Sequence, residues 1–174
     1  YGYATGQTSS YYACKQCVIG RYADTKGEAG ECKQCEAGHY EDQQGADRCK
    51  ACPEGRYGNE IGKSSTDEGC PGKCGQGKYG GVTGQTSSSK ACKDCDIGKH
   101  SDSDGEAGTC KSCESGSYED ETGKVDCKPC PKGRYGTETG KASRDKGCPS
   151  ECSKGKYGYA TGQTSSYYAC KQCV

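Results

Sequence analysis

Cysteine spacing constrains this chain more than any other feature. The eighteen cysteines fall in nine close pairs: Cys14/Cys17, Cys32/Cys35, Cys49/Cys52, Cys70/Cys74, Cys92/Cys95, Cys110/Cys113, Cys127/Cys130, Cys148/Cys152 and Cys170/Cys173. From the first cysteine of one pair to that of the next, the steps are 18, 17, 21 and 22 residues, and the same four steps then follow again. The pattern returns after 78 residues with no insertion or deletion, which marks a repeat architecture. The chain divides accordingly into a four-module block at residues 1–78, a second at 79–156, and the start of a further period at 157–174. Residues 157–174 are identical to residues 1–18, whereas the middle copy from Tyr79 differs. The longer period is therefore 156 residues, and the chain is expected to be a segment of a longer array.

Each module repeats more than its cysteines. After the second cysteine of each pair the chain reads CVIGRY, CEAGHY, CPEGRY, CGQGKY, CDIGKH, CESGSY, CPKGRY and CSKGKY. This is Cys-x-x-Gly-x-Tyr throughout, with His100 once in the tyrosine place. A second glycine follows the aromatic position by five residues: Gly27, Gly45, Gly62, Gly84, Gly105, Gly123, Gly140 and Gly162. Glycine at fixed turn positions supplies a positive φ without steric cost. Polar runs such as Asp-Thr-Lys-Gly27 favour tight turns between short strands. The tyrosine is the only large side chain of a module, and it can cover a disulfide while its hydroxyl stays wet.

Little else is available to bury. The chain has no Trp, Phe, Met or Leu, so a single continuous apolar core is excluded. Cysteine instead makes up 18 of 174 residues, the composition of a disulfide scaffold. No stretch sustains a 3.6-residue period. The fold class expected is therefore small and disulfide-rich: tandem irregular β-hairpin modules stacked into an elongated rod, with little or no helix.

The spacing, the Gly and the Tyr together resemble the cysteine-rich repeats called ephrin-receptor-like. They are also similar to the first loop of tumour-necrosis-factor-receptor repeats. Those receptors alternate this loop with a second, interlaced module, whereas here the simple loop repeats throughout. The resemblance implies that the second cysteine of each pair bonds to the first of the next. The bonds would be Cys17–Cys32, Cys35–Cys49, Cys52–Cys70, Cys74–Cys92, Cys95–Cys110, Cys113–Cys127, Cys130–Cys148 and Cys152–Cys170. Cys14 and Cys173 are then open-ended, with partners expected beyond the segment.

Zinc is the rival reading, because two C-x2-C pairs separated by about fifteen residues match zinc-ribbon spacing. Nine pairs cannot be shared two to a site, and Cys70/Cys74 and Cys148/Cys152 are C-x3-C. Each repeat unit also carries only half of such a site. No metal or other cofactor is expected. A redox C-x-x-C lacks its βαβ context here.

Other candidate sites are few. His39 and His100 are the only histidines, and both read as repeat variants with no nucleophile partner, so no enzyme activity is expected. Asp102-Ser-Asp104-Gly105-Glu106 lacks the remaining spacing of an EF-hand and reads as a solvated turn. No Asn-x-Ser/Thr sequon occurs. Candidate O-glycosylation positions are Thr5, Thr8, Ser9, Ser10, Thr83, Thr86, Thr161 and Thr164. Tyr11-Tyr12 and Tyr167-Tyr168 stand apart from the Gly-x-Tyr site and are candidate contact residues, since Tyr is enriched in interfaces. The middle copy has Ser89-Lys90 in their place.

Charge excludes one partner class. Basic and acidic residues are equal at 24 each, with no basic stripe, so nucleic acid is not expected. No apolar stretch is long enough to span a bilayer. The function expected is the structural shaft of an extracellular fibre, surface appendage or stalk. The alternative is a cell-surface receptor or adhesin region binding a protein or glycan. The partners expected are copies of the chain or another fibre protein, with covalent glycans as a further candidate.

Overall fold

A chain with so few aliphatic side chains, and those exposed where they are large, as at Val18, Ile61 and Ile97, has to close each excursion of its backbone locally. It does so with paired strands of two or three residues. The computed structural model of the chain describes residues 15–26 and 30–173. In the first module β1 (Arg21–Tyr22) pairs antiparallel with β2 (Lys33–Gln34). The next are β3 (His39–Tyr40) with β4 (Lys50–Ala51), and β5 (Arg56–Tyr57) with β6 (Gly72–Lys73). Then β7 (Lys78–Tyr79) pairs with β8 (Lys93–Asp94), and β9 (Lys99–His100) with β10 (Lys111–Ser112). Last come β11 (Ser117–Tyr118) with β12 (Lys128–Pro129), β13 (Arg134–Tyr135) with β14 (Ser150–Glu151), and β15 (Lys156–Gly158) with β16 (Cys170–Gln172). These are the tandem hairpin modules expected of the sequence.

The register explains the close cysteine pair. The outgoing strand of each hairpin is the Gly-x-Tyr segment. The return strand is the run between the two cysteines of the next pair, as Lys33-Gln34 lies between Cys32 and Cys35. One cysteine therefore closes its own module, and the other opens the next.

Helix is confined, among the described residues, to four single turns: α1 (Thr66–Gly69), α2 (Ser88–Ala91), α3 (Arg144–Gly147) and α4 (Ser166–Ala169). They occur in the modules whose cysteines are 18 residues apart rather than 14 or 15. The extra residues coil into one turn, preceded by an extended serine: Ser65, Ser87, Ser143 or Ser165. At α1 the Ser65 hydroxyl accepts the Glu68 backbone N–H at 3.3 Å, which satisfies a donor the helix start leaves free. Each turn packs on the Gly-x-Tyr strand of the preceding module: α1 on β3, α2 on β5, α3 on β11 and α4 on β13. No helix of the described residues is long and apolar enough to cross a membrane.

The buried apolar residues among those described are cysteines, plus Ala91 and Ala169 on the inner side of α2 and α4. Disulfide sulfur thus stands where aliphatic carbon would stand in an ordinary domain. The chain divides into two compact units: residues up to Cys74 with Gly80–Cys92, and Gly75–Tyr79 with residues from Lys93 onward. The division runs through the fourth module, whereas the sequence repeat turns over at residue 78.

Candidate functional site

The structure bonds Cys17 to Cys32, Cys35 to Cys49, Cys52 to Cys70 and Cys74 to Cys92. It likewise bonds Cys95 to Cys110, Cys113 to Cys127, Cys130 to Cys148 and Cys152 to Cys170. Cα–Cα distances of 5.4–5.7 Å fall where unstrained bridges lie. Cys14 lies outside the described residues. Cys173 is unbonded and exposed.

Successive modules are joined by backbone hydrogen bonds that repeat along the chain. The second glycine of one module donates its N–H to the carbonyl of the cysteine that opens the module before. Gly45 reaches Cys17 and Gly84 reaches Cys52, both at 2.8 Å, and in the second unit Gly123 reaches Cys95 at 2.8 Å and Gly140 reaches Cys113 at 2.7 Å. A second chain of bonds crosses three modules. The Gly20 N–H reaches the Glu41 carbonyl at 2.7 Å, and the Glu41 N–H reaches the Lys63 carbonyl at 3.0 Å. Gly98, Glu119 and Lys141 repeat this at 2.7 and 3.0 Å.

The first glycine of the module sits at this joint. A turn with positive φ calls for glycine there, as at Gly38 with φ +80°. The joint adds a stronger reason. A Cβ on Gly38 would lie 2.5 Å from the carbonyl oxygen of Gly84, two modules on. Gly98 stands in the same relation to Gly140, and Gly116 to Gly162.

Lysine and acid form a second recurrent pattern. The lysine after the first cysteine lies opposite the module's aromatic residue and reaches the aspartate two residues beyond it. Lys33 binds Asp24 at 2.6 Å, Lys50 binds Asp42, Lys111 binds Asp102 at 2.5 Å, and Lys128 binds Asp120. Glu119 is 1% exposed, and its Oε1 accepts the Glu121 N–H at 3.1 Å and lies 3.3 Å from the Lys128 ammonium. Glu119, Asp120 and Glu121 could gather a cation, and Lys128 already supplies one to all three.

Glu121 is also held by Lys124 at 2.7 Å, and hydrogen bonds from Lys124 and then Lys128 lower its carboxyl from 4.5 to about 2. A depressed carboxyl stabilises the fold above its ordinary range, and that contribution fades as pH falls from 4.5 towards 2. Glu121 is exposed, so the effect on stability is small and titration is the sensitive readout. In Lys124→Met, NMR titration of the Glu121 carboxyl is expected to move its midpoint up towards the ordinary glutamate range. An unmoved midpoint would show that the ion pair is not formed in solution.

His100 takes the tyrosine place on β9. Its Nδ1 lies 3.2 Å from Sγ of Cys127 in the next module. His100, Cys113 and Cys127 would be a ligand set of metal-binding type, but the two sulfurs are bonded to each other. A groove of about 420 Å³ runs past His100, Asp102, Lys111 and Glu114. The equivalent place in the first block is a groove of about 210 Å³ beside Tyr22, Glu36 and His39. His39 and His100 lie in different units, and among the described residues neither has a serine, threonine or thiol nucleophile hydrogen-bonded to its ring.

Among the candidate glycan positions, Thr83 and Thr161 are exposed, whereas Thr86 and Thr164 are half-buried. Thr5, Thr8, Ser9 and Ser10 lie outside the described residues, as do Tyr11 and Tyr12. Tyr167 and Tyr168 lie on α4, 81% and 57% exposed, with their rings edge to face at 5.0 Å. Their counterparts Ser89 and Lys90 on α2 are exposed as well.

Two features of this frame escape sequence reading. The Lys–Asp pairing leaves a signal, the recurrence of Asp24, Asp42, Asp102 and Asp120 two residues past the aromatic position. It has meaning only once the register is known. The clash that makes the first glycine obligatory leaves no signal beyond the glycine itself.

No curated protein matches the chain. The family described as tyrosine-protein kinase ephrin type A/B receptor-like matches residues 20–70 and 98–148. The two matches sit one in each block, 78 residues apart, and cover more than half of the sequence. Together with the eight disulfides they point to an extracellular or cell-surface setting. By cysteine pattern, hairpin modules and match alike, the chain belongs to the ephrin type A/B receptor-like family of cysteine-rich repeats.

Proposed function

We propose that this chain is a shaft: a load-bearing segment of an extracellular fibre, surface appendage or stalk, and not an enzyme. The observation that carries the reading is the recurrence of the same backbone joints from module to module within each unit. A module that docks on its successor through main-chain groups, with glycine at the contact, depends little on surface side chains. Such joints propagate in one dimension, as in other repeat proteins. Net charge is zero, so copies approach without strong repulsion. The partners of a shaft are further copies of itself or another fibre protein, and Thr83 and Thr161 are open to O-linked glycans.

Family membership favours a second reading, a receptor or adhesin region that binds a protein or glycan. That reading asks for a module with a distinctive surface. The His100 groove and the Tyr167-Tyr168 turn are the two such places among the described residues.

Small-angle scattering of the oxidised chain tests the shaft. An elongated particle is expected, with a cross-section the width of one module. A scattering profile of a compact globule of 18.3 kDa would overturn the reading.

A further inference from the structure

The four helical turns occupy one structural position in four modules, and three of them carry charge. α1 has Asp67 and Glu68, α2 has Lys90, and α3 has Arg144, Asp145 and Lys146. α4 reads Ser-Tyr-Tyr-Ala and carries none. Its two tyrosines face solvent, and this belongs to the position: Ser89 and Lys90 are exposed in the fourth module, which has a module on either side in the chain.

Tyrosine is the easily oxidised side chain of this protein. There is no Trp and no Met, and the described cysteines other than Cys173 are in disulfides. The Gly-x-Tyr tyrosines from Tyr22 to Tyr135 are half-buried. Tyr159 carries the Lys171 ammonium 4.2 Å above its ring, and a cation there disfavours removal of an electron. Tyr167 and Tyr168 are the most exposed tyrosines among the described residues and carry no such cation.

We propose that Tyr167 and Tyr168 are an oxidative cross-linking site, at which two copies of this chain are joined by a carbon–carbon bond between tyrosine rings. A haem peroxidase with hydrogen peroxide is the class of oxidant required. Each phenol gives up one electron and its proton, and the two phenoxyl radicals couple at ring carbons ortho to oxygen. The ring hydrogens then move to oxygen and restore both phenols. Two electrons and two protons leave the tyrosines, and they reduce one hydrogen peroxide to two waters. The uncharged turn lets two copies approach at this point, where the other three turns present charge. The proposal rests on the extracellular, oxidising setting and does not need the shaft reading.

Residues 1–18 and 157–174 are identical, so peptides from the two ends cannot be told apart, and variants must separate them. The purified oxidised chain carrying Y11F/Y12F is treated with a haem peroxidase and hydrogen peroxide. It is then fully reduced, which removes any dimer made through Cys173. Reduction-resistant dimer with blue dityrosine fluorescence is expected. Adding Y167F/Y168F is expected to lower both signals to the level seen without peroxide. An undiminished yield in that variant would overturn the proposal, as would bridges mapping to the Gly-x-Tyr tyrosines. Scattering of the untreated chain reports separately on the shaft, whichever way the cross-linking falls.

Discussion

Full reduction of the disulfides is expected to unfold both units. In most domains a lost disulfide removes a few kcal/mol from a fold that an apolar core still holds. Here the buried apolar residues among those described are cysteines, with Ala91 and Ala169. Each bridge closes a loop of 14 to 18 residues, and such a loop restricts the unfolded chain by about 3 kcal/mol in the chain-entropy account. Net stabilities of domains are about 5–15 kcal/mol, so loss of a few bridges exhausts that margin. Amide exchange and size-exclusion volume measure the outcome. The reduced, alkylated chain is expected to exchange at unfolded rates and to elute as an expanded coil. Retention of slow exchange at the Gly84 and Gly123 N–H groups would show that the backbone joints hold the fold unaided.

Gly38→Ala is expected to be the most damaging methyl group that can be added to the second module. Two costs combine. The left-handed backbone at φ +80° disfavours any Cβ by about 1–2 kcal/mol. The added carbon would also lie 2.5 Å from the Gly84 carbonyl oxygen and 2.9 Å from its carbon. That carbonyl cannot withdraw freely, because the Gly84 N–H is bonded to the Cys52 carbonyl at 2.8 Å. Relief of such a clash costs a further 1–3 kcal/mol or so, giving roughly 2–5 kcal/mol in all. Gly45→Ala in the same module isolates the first cost. Its φ is +72°, and the nearest atoms belong to the Gln16 side chain at 3.5 Å. Denaturation with the disulfides intact is expected to place Gly45→Ala near 1–2 kcal/mol and Gly38→Ala clearly above it. Equal losses would mean that the joint between the second and fourth modules does not form in solution.

The modular hairpins were legible because cysteine, glycine and tyrosine recur at fixed steps, and each has one dominant use in a short loop. The pairing of cysteines was legible through family resemblance alone, since their number admits many connectivities. The helical turns were not. Four residues cannot show a 3.6-residue period, and the one local sign was a serine three residues ahead of Glu68. The first glycine was read as a turn residue, which it is. Its contact two modules away depends on how modules stack, and no local pattern encodes that. The pairing of Lys33 with Asp24 becomes legible only with the register, which places Lys33 opposite Tyr22.

The order of the bridges also decides how the chain bears tension. A pull along the backbone does not have to pass through the loops. It crosses from Cys17 to Cys32 through sulfur, runs over Lys33 and Gln34 to Cys35, and crosses again to Cys49. Each crossing spans 5.7 Å between Cα atoms, and the three peptide steps between them reach about 10–11 Å when taut. One module can therefore lengthen to about 16 Å, against about 60 Å for the same eighteen-residue step without its bridge. Even with every hairpin opened, the chain remains a short-linked covalent cable, and pulled with its disulfides intact it would reach only about a quarter of its unbridged contour.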